Sequence, residues 1–207
     1  MKSLILMIGV LITTTACASE VTVHGGWQHT VNSNKGDGAT FDVRVEQPVW
    51  KGFSLGLEGG YHGETDNTSE SGQSYGDLSG THLLAELLYY PPVKWRVKPY
   101  IFGGWGWSWW SFDRSQSMQD AHIQIDMGDS FAEKYGFGAD YAINENWSLN
   151  IEWSFFETDI PKDSYYQGEA NHADGTFANV LGDDDGSGRV TTGHGETNLV
   201  VGLKYRF

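Results

Sequence analysis

Along much of the chain apolar and polar residues alternate at every second position, the period that puts one kind of side chain on each face of an extended strand. In residues 41–46, Phe41, Val43 and Val45 share one face while Asp42, Arg44 and Glu46 share the other. Residues 53–64 set Phe53, Leu55, Leu57 and Tyr61 against Ser54, Glu58, His62 and Glu64, with Gly56 and Gly60 in the polar phase. From Thr81 to Tyr90, Leu83, Ala85 and Leu87 oppose His82 and Glu86, and Leu84 and Leu88 blur the pattern. Residues 131–143 set Tyr135, Phe137, Ala139, Tyr141 and Ile143 against Lys134, Gly136, Gly138 and Asp140. Trp147, Leu149, Ile151, Trp153 and Phe155 then oppose Ser148, Asn150, Glu152 and Ser154. The last stretch sets Leu199, Val201, Leu203, Tyr205 and Phe207 against Glu196, Asn198, Gly202, Lys204 and Arg206. A weaker strand over 20–31 and a Gly- and Trp-rich one over 98–112, whose phase the pattern leaves open, bring the number to eight.

Alternation does not say which face is inside, because a soluble barrel with an apolar lumen has the same period. Three features point to an apolar exterior. The polar phase mixes Gly with long residues of both charge signs, which suits a narrow interior that must be filled and charge-paired. Trp50, Tyr89, Tyr90, Tyr100, Trp110, Tyr141, Trp147 and Tyr205 fall near strand ends, where aromatic girdles form at a membrane interface. Connections also alternate in length: 32–39, 65–80, 113–130 and 159–194 are long, whereas 50–52, 91–97 and 144–146 are short. Short turns on one side and long loops on the other mark a barrel in a membrane, where an open sheet edge would leave backbone groups unpaired. The expected fold is therefore all-β: an eight-stranded antiparallel transmembrane β-barrel, an up-and-down meander with crossing strands of about 10 to 13 residues.

Residues 1–18 have the layout of a secretory signal peptide: Lys2, an apolar run from Leu4 to Ile12, a polar exit, and Ala16-Cys17-Ala18 as a small-x-small cleavage site. A lipoprotein reading would use Cys17 as acceptor, but Thr14 stands where an aliphatic residue is wanted. Cleavage leaves residues 19–207 as one barrel domain. It also removes Cys17, the single cysteine, so disulfides are excluded. No other stretch approaches the roughly 20 apolar residues of a membrane helix. The 27 Gly, 9 Trp, 10 Tyr and 10 Phe beside 5 Pro favour strands and turns.

Three segments carry a more specific likeness: Lys98-Pro99-Tyr100-Ile101-Phe102-Gly103-Gly104-Trp105-Gly106, the run from Tyr135 to Leu149, and the terminal Gly202-Leu203-Lys204-Tyr205-Arg206-Phe207. With them the chain resembles the small outer-membrane β-barrel family that includes the OmpA transmembrane domain, OmpX and OmpW. That resemblance implies a place in the outer membrane of a Gram-negative bacterium, among its lipids and lipopolysaccharide. It also implies that Phe207 acts as an assembly signal for the outer-membrane assembly machinery. Unlike the OmpA chain, this one leaves no room for a peptidoglycan-binding domain, and none is expected.

The formal net charge is −14, and loss of Lys2 with the leader takes it to −15. Lys51, Lys94, Arg96 and Lys98 gather at the short turns, and most acids lie in the long loops. An acidic outer surface argues against nucleic acid, which needs a basic face. Asp183-Asp184-Asp185-Gly186-Ser187-Gly188 invites comparison with a calcium loop, but position seven would be Arg189 and position twelve His194, so no metal is assigned. Asp42, Arg44, Glu46, Glu58, Glu86, Lys134, Asp140, Glu152, Lys204 and Arg206 all have the inward phase and are expected to form a paired luminal network. His62, His82 and His194, with Glu64 and Glu196, have the inward phase near the outer rim. Imidazoles and carboxylates suit transition metals or acid–base chemistry, yet no catalytic motif or zinc-ligand spacing accompanies them. They are read as fillers of polar space, and neither an enzyme nor a cofactor is expected. Trp105, Trp107, Trp109, Trp110 and Phe112 fit either a hydrophobe-binding wall or a lipid-facing row with Gly104, Gly106 and Ser108 inward. The functional expectation is a monomeric structural or surface-binding scaffold, with a narrow OmpW-like conduit for small hydrophobic or polar solutes, or a rim-site enzyme, as the other readings.

Overall fold

The computed structural model describes residues 20–31, 37–64, 67–68, 74–116, 119, 123–127, 129–166 and 189–207. The expected leader and the Asp183–Gly188 segment lie outside the described residues. The strands are β1 (Glu20–Thr30), β2 (Gly38–Trp50), β3 (Phe53–Glu64), β4 (Asn67–Thr68), β5 (Ser74–Tyr89), β6 (Val97–Arg114), β7 (Ile123–Met127), β8 (Asp129–Ala142), β9 (Trp147–Tyr166) and β10 (Arg189–Arg206). Leaving aside the short β4 and β7, each strand pairs antiparallel with its sequence neighbour, and β10 pairs with β1 to close an eight-stranded meander barrel. Closure satisfies the edge groups that a bilayer could not.

The short connections follow from local chemistry. Lys51 and Gly52 have φ of 35° and 90°, the positive pair that a two-residue hairpin needs to match strand twist. Gly52 is also pressed against the next turn: its carbonyl accepts from the Tyr90 N–H at 2.7 Å, and a Cβ there would lie 2.4 Å from the Tyr90 oxygen. Between β8 and β9 the Asn144 side chain accepts from the N–H groups of Asn146 and Trp147, both at 2.9 Å, in an Asx-type turn.

Strand length departs from expectation. The barrel strands run from 11 residues in β1 to 20 in β9, and the β9–β10 ladder reaches Asp163↔Arg189. The last connection therefore spans 167–188 rather than 159–194. Beyond the membrane both faces of a hairpin meet water. Backbone pairing then continues while the alternation that reveals a strand stops.

The two faces are sorted as a membrane barrel requires. Phe41, Leu55, Tyr61, Leu87, Phe137, Ile151, Leu199 and Val201 are exposed on the outside, and the charged phase is buried within. The Trp-rich β6 takes the lipid-facing phase: Trp105 and Trp107 are 52% and 54% exposed, and Gly104, Gly106 and Ser108 point inward. Three residues assigned to the girdle are corrected. Tyr100 and Trp110, 2% and 6% exposed, point into the lumen, as does the Tyr90 hydroxyl, which meets Glu46 and Lys204. The remaining aromatics form a belt at the short-turn end, with Trp50 stacked on Phe53 at 5.9 Å and Trp147 against Tyr205 at 4.7 Å. Leu84, Leu88 and Val200, which interrupt the polar phase, are buried inside.

Candidate functional site

The lumen is filled in layers. Toward the long loops, Leu78, Leu84, Trp110, Ala132 and Phe156 form an apolar layer. Toward the short turns, Leu88, Tyr100 and Phe102 form another. Charged and polar side chains occupy the space between and below, brought there by the inward phase of consecutive strands.

Strand register explains how such long side chains fit. In the row running from β2 to β8, Glu46 faces Gly56, Glu86 faces both Gly56 and Gly104, and Gly104 faces Lys134. Asn150, Gly202, His24, Asp42, Gly60 and His82 form a second row across β9, β10, β1, β2, β3 and β5. Each glycine leaves the space its neighbours' side chains fill, the small–large alternation of a narrow barrel. A Cβ on Gly60 would lie 2.0 Å from Asp42 Oδ1 and 2.4 Å from His82 Cε1.

Arg44 on β2 is the hub. Its Nη1 donates to Glu152 Oε2 at 2.7 Å, its Nη2 donates to Glu58 Oε2 at 2.8 Å, and its Nε lies 2.5 Å from Glu86 Oε2. The Lys134 ammonium donates to Glu58 Oε1 at 2.6 Å and lies 3.2 Å from Glu152 Oε1. Phe102 lies under both cations, 4.9 Å from Arg44 Cζ and 5.6 Å from Lys134 Nζ, an attractive cation–π arrangement. A second cluster sits lower, where Lys204 Nζ donates to Asp140 Oδ2 and the Tyr90 hydroxyl, both at 2.8 Å, and pairs with Glu46 Oε1 at 3.0 Å. Asn150 Nδ2 joins the two clusters, donating to Asp140 Oδ1 at 2.6 Å and to the Tyr100 hydroxyl at 2.8 Å, and Tyr100 donates to Glu152 at 2.9 Å.

Of the ten residues expected in the luminal network, nine are buried there. Arg206 is the exception: its side chain is 49% exposed at the barrel mouth, where it pairs with Glu20. Glu20, Tyr90, Tyr100 and Asn150 also belong to the network: Tyr90 and Tyr100 read as girdle from their places near strand ends, Asn150 reads as an uncharged member of the polar phase, and Glu20 lies on the strand whose alternation is weak. Phe207 is exposed at the short-turn end and packs edge-on against Tyr205 at 5.0 Å.

His62 and His82 are not at an open rim. His62 and His82 are buried under Phe156, whose ring centre is 4.8 Å and 5.4 Å from theirs. His62 Nε2 and His82 Nδ1 lie 2.6 Å apart, and His62 Nδ1 lies 2.9 Å from Glu196 Oε2. The side chains of His194 and Glu64 lie outside the described residues. His24, on the weak first strand, was missed as a partner; its Nε2 pairs with Asn150 Oδ1 at 2.9 Å. Ligand atoms of Asp42, His62 and His82 cluster within 4.8 Å of one another, as do those of His24, Asp42 and Glu58. A pocket of about 390 Å³ at the short-turn end is lined by Trp50, Phe53, Tyr90, Lys98, Asp140 and Arg206, and borders the Lys204 cluster.

Solved structures share this architecture. The outer membrane protein OprG from Pseudomonas aeruginosa superposes with a TM-score of 0.62 at 14% identity, over 92% of this chain and 96% of that one. Neisserial surface protein A gives 0.62 at 12% identity, over 91% and 96% of the two chains. AlkL in lipid bilayers gives 0.53 at 15% identity, over 92% and 90%. At such identities the likeness is one of fold. No curated protein matches the chain in sequence. The model of the outer membrane protein beta-barrel domain family matches residues 3–207, the described barrel entire, and the chain belongs to that family of Gram-negative outer-membrane proteins.

Proposed function

We propose that this outer-membrane barrel is a closed scaffold that holds its long loops at the cell surface, and neither a channel nor an enzyme. The observation that carries the reading is the filled lumen: two apolar layers flank an ion-paired plug whose Arg44, Glu58, Glu86 and Glu152 side chains are fully buried. Eight strands enclose room for side chains, and aqueous channels belong to barrels of about 16 to 18 strands. Binding then resides in loops carried on a rigid frame. Around the barrel, lipid and lipopolysaccharide meet the exposed apolar belt, and the assembly machinery meets the end marked by Phe207. Export uses the leader over residues 1–18.

Reconstitution into planar bilayers tests the closed lumen. The expected result is no steady conductance in salt, with folding verified by heat-dependent mobility in SDS. Replacing residues 167–188 with a two-residue turn should preserve that mobility, since the segment lies beyond the β9–β10 ladder. Large, stable single-channel steps would overturn the scaffold reading in favour of a conduit.

A further inference from the structure

The plug carries an imbalance of charge. Eight carboxylates are buried in the described lumen, namely Glu20, Asp42, Glu46, Glu58, Glu86, Asp140, Glu152 and Glu196, against three buried Lys or Arg side chains, Arg44, Lys134 and Lys204. Each uncompensated buried charge is costly. The Arg44 cluster accounts for Glu58, Glu86 and Glu152, and the Lys204 cluster for Glu46 and Asp140. Asp42 has neither cation: its ion-pair contact is His82 Nε2 at 3.6 Å, too long for a hydrogen bond, and Asp42 Oδ1 has no hydrogen-bond partner although the residue is 2% exposed.

The groups around that oxygen are metal ligands by type. His82 Nε2 lies 3.6 Å from Asp42 Oδ1 and 3.3 Å from Glu58 Oε1. A tetrahedral ion with bonds of about 2.0 to 2.1 Å holds its ligand atoms about 3.3 Å apart. His24 lies on the other side of Asp42, with a ligand atom within 4.8 Å of both Asp42 and Glu58, and its buried Nδ1 also has no hydrogen-bond partner. Both imidazoles are anchored through their second nitrogens, His24 Nε2 on Asn150 Oδ1 and His82 Nδ1 on His62, which rests in turn on Glu196. Anchoring of that kind orients a ligating histidine and fixes its tautomer.

We propose that His24, Asp42, Glu58 and His82 form a luminal site for one divalent transition-metal ion of the zinc class. Mixed imidazole and carboxylate donors suit such an ion. Gly60 is the opening that lets Asp42 and His82 approach each other. The apolar layer of Trp110 and Phe156 covers the His62–His82 pair on one side, and Glu58 also accepts from Arg44 Nη2 at 2.8 Å and from Lys134 Nζ at 2.6 Å. The ion therefore enters as the barrel closes and ties β1, β2, β3 and β5 together. Its role is structural, and its binding energy becomes folding energy.

The test is refolding of the full barrel in detergent with Zn²⁺ or with EDTA, then desalting, elemental analysis and thermal unfolding. The expected result is one retained zinc per folded barrel, and a higher unfolding temperature than in the EDTA-refolded sample. Asp42→Asn keeps the shape and removes the charge, and His82→Gln removes an imidazole. Each should weaken retention by about 100-fold or more, since even loss of an anchoring group around a metal costs about 10- to 100-fold. His29→Gln, on the exposed edge of β1, should change nothing. Refolding with Co²⁺ gives a reading that needs no variant: four-coordinate ligand-field bands are expected in the wild-type barrel. Folded wild-type barrel that keeps no zinc, variants that keep it undiminished, or a cobalt spectrum of six-coordinate type would each overturn the site.

Discussion

Replacing Arg44 with Met removes the hub of the luminal plug while keeping much of its length. The cost does not scale with the three carboxylates it touches. Glu58 and Glu152 keep Lys134, at 2.6 Å and 3.2 Å, whereas among the described residues the ion-pair partner of Glu86 is Arg44 alone. The variant thus strands one buried carboxylate rather than three, and the expected loss is about 3 to 5 kcal/mol, the cost of breaking a buried pair from one side. With a urea dependence of about 2 kcal/mol per molar, the midpoint should fall by on the order of 2 M. Tryptophan fluorescence of barrels refolded into lipid vesicles reads the midpoint, and electrophoretic mobility in cold SDS confirms the folded state. The double variant Arg44→Met with Glu86→Gln should recover more than half of the loss, because the stranded charge is then gone. A single variant within about 0.5 kcal/mol of the wild type, the range of ordinary surface changes, would refute the reasoning. So would a double variant that recovers nothing.

Two further outcomes follow from the geometry. Gly60→Ala should destabilise the barrel by about 1 to 3 kcal/mol through overpacking, because its Cβ meets Asp42 and His82; Gly25→Ala, with nothing within 4 Å, should leave the urea midpoint unchanged. Equal midpoints for the two variants would show that the luminal rows are not tightly filled. Deleting Phe207 should lower the amount inserted in cells while leaving detergent refolding intact, since the ring is exposed and touches Tyr205 alone among the aromatic contacts of the described residues; insertion at wild-type levels would remove its role in assembly.

The fold was legible because the bilayer imposes a strict rule on each crossing strand. Where one face meets lipid and the other a polar lumen, as in residues 41–46 or 147–155, the alternation names both the strand and the buried charges. The rule weakens in two places. Apolar residues in the inward phase, such as Leu84, Leu88, Tyr100, Phe102 and Trp110, fill the lumen as well as any charged group, and hydropathy cannot separate them from lipid-facing residues. The other failure is partner identity. That Glu86 leans on Arg44, or that His24 and His82 flank Asp42, depends on the offset of strands that are far apart in sequence, and spacing along one strand does not encode it. The glycines of the polar phase were the usable signal, since each marks a place where a long neighbour must cross.

Those glycine-spaced rows also act as a register code. A one-residue slip between two strands would turn charges toward lipid, but a two-residue slip preserves inside and outside and would pass that filter. Here it would not pass the second one. Moving β3 by two residues against β2 would set Asp42 opposite Glu58 or His62 instead of Gly60, placing two long polar side chains where one fits. The lumen thus encodes alignment by volume, and a barrel with the wrong shear would overfill its interior even where its lipid-facing surface carries no error.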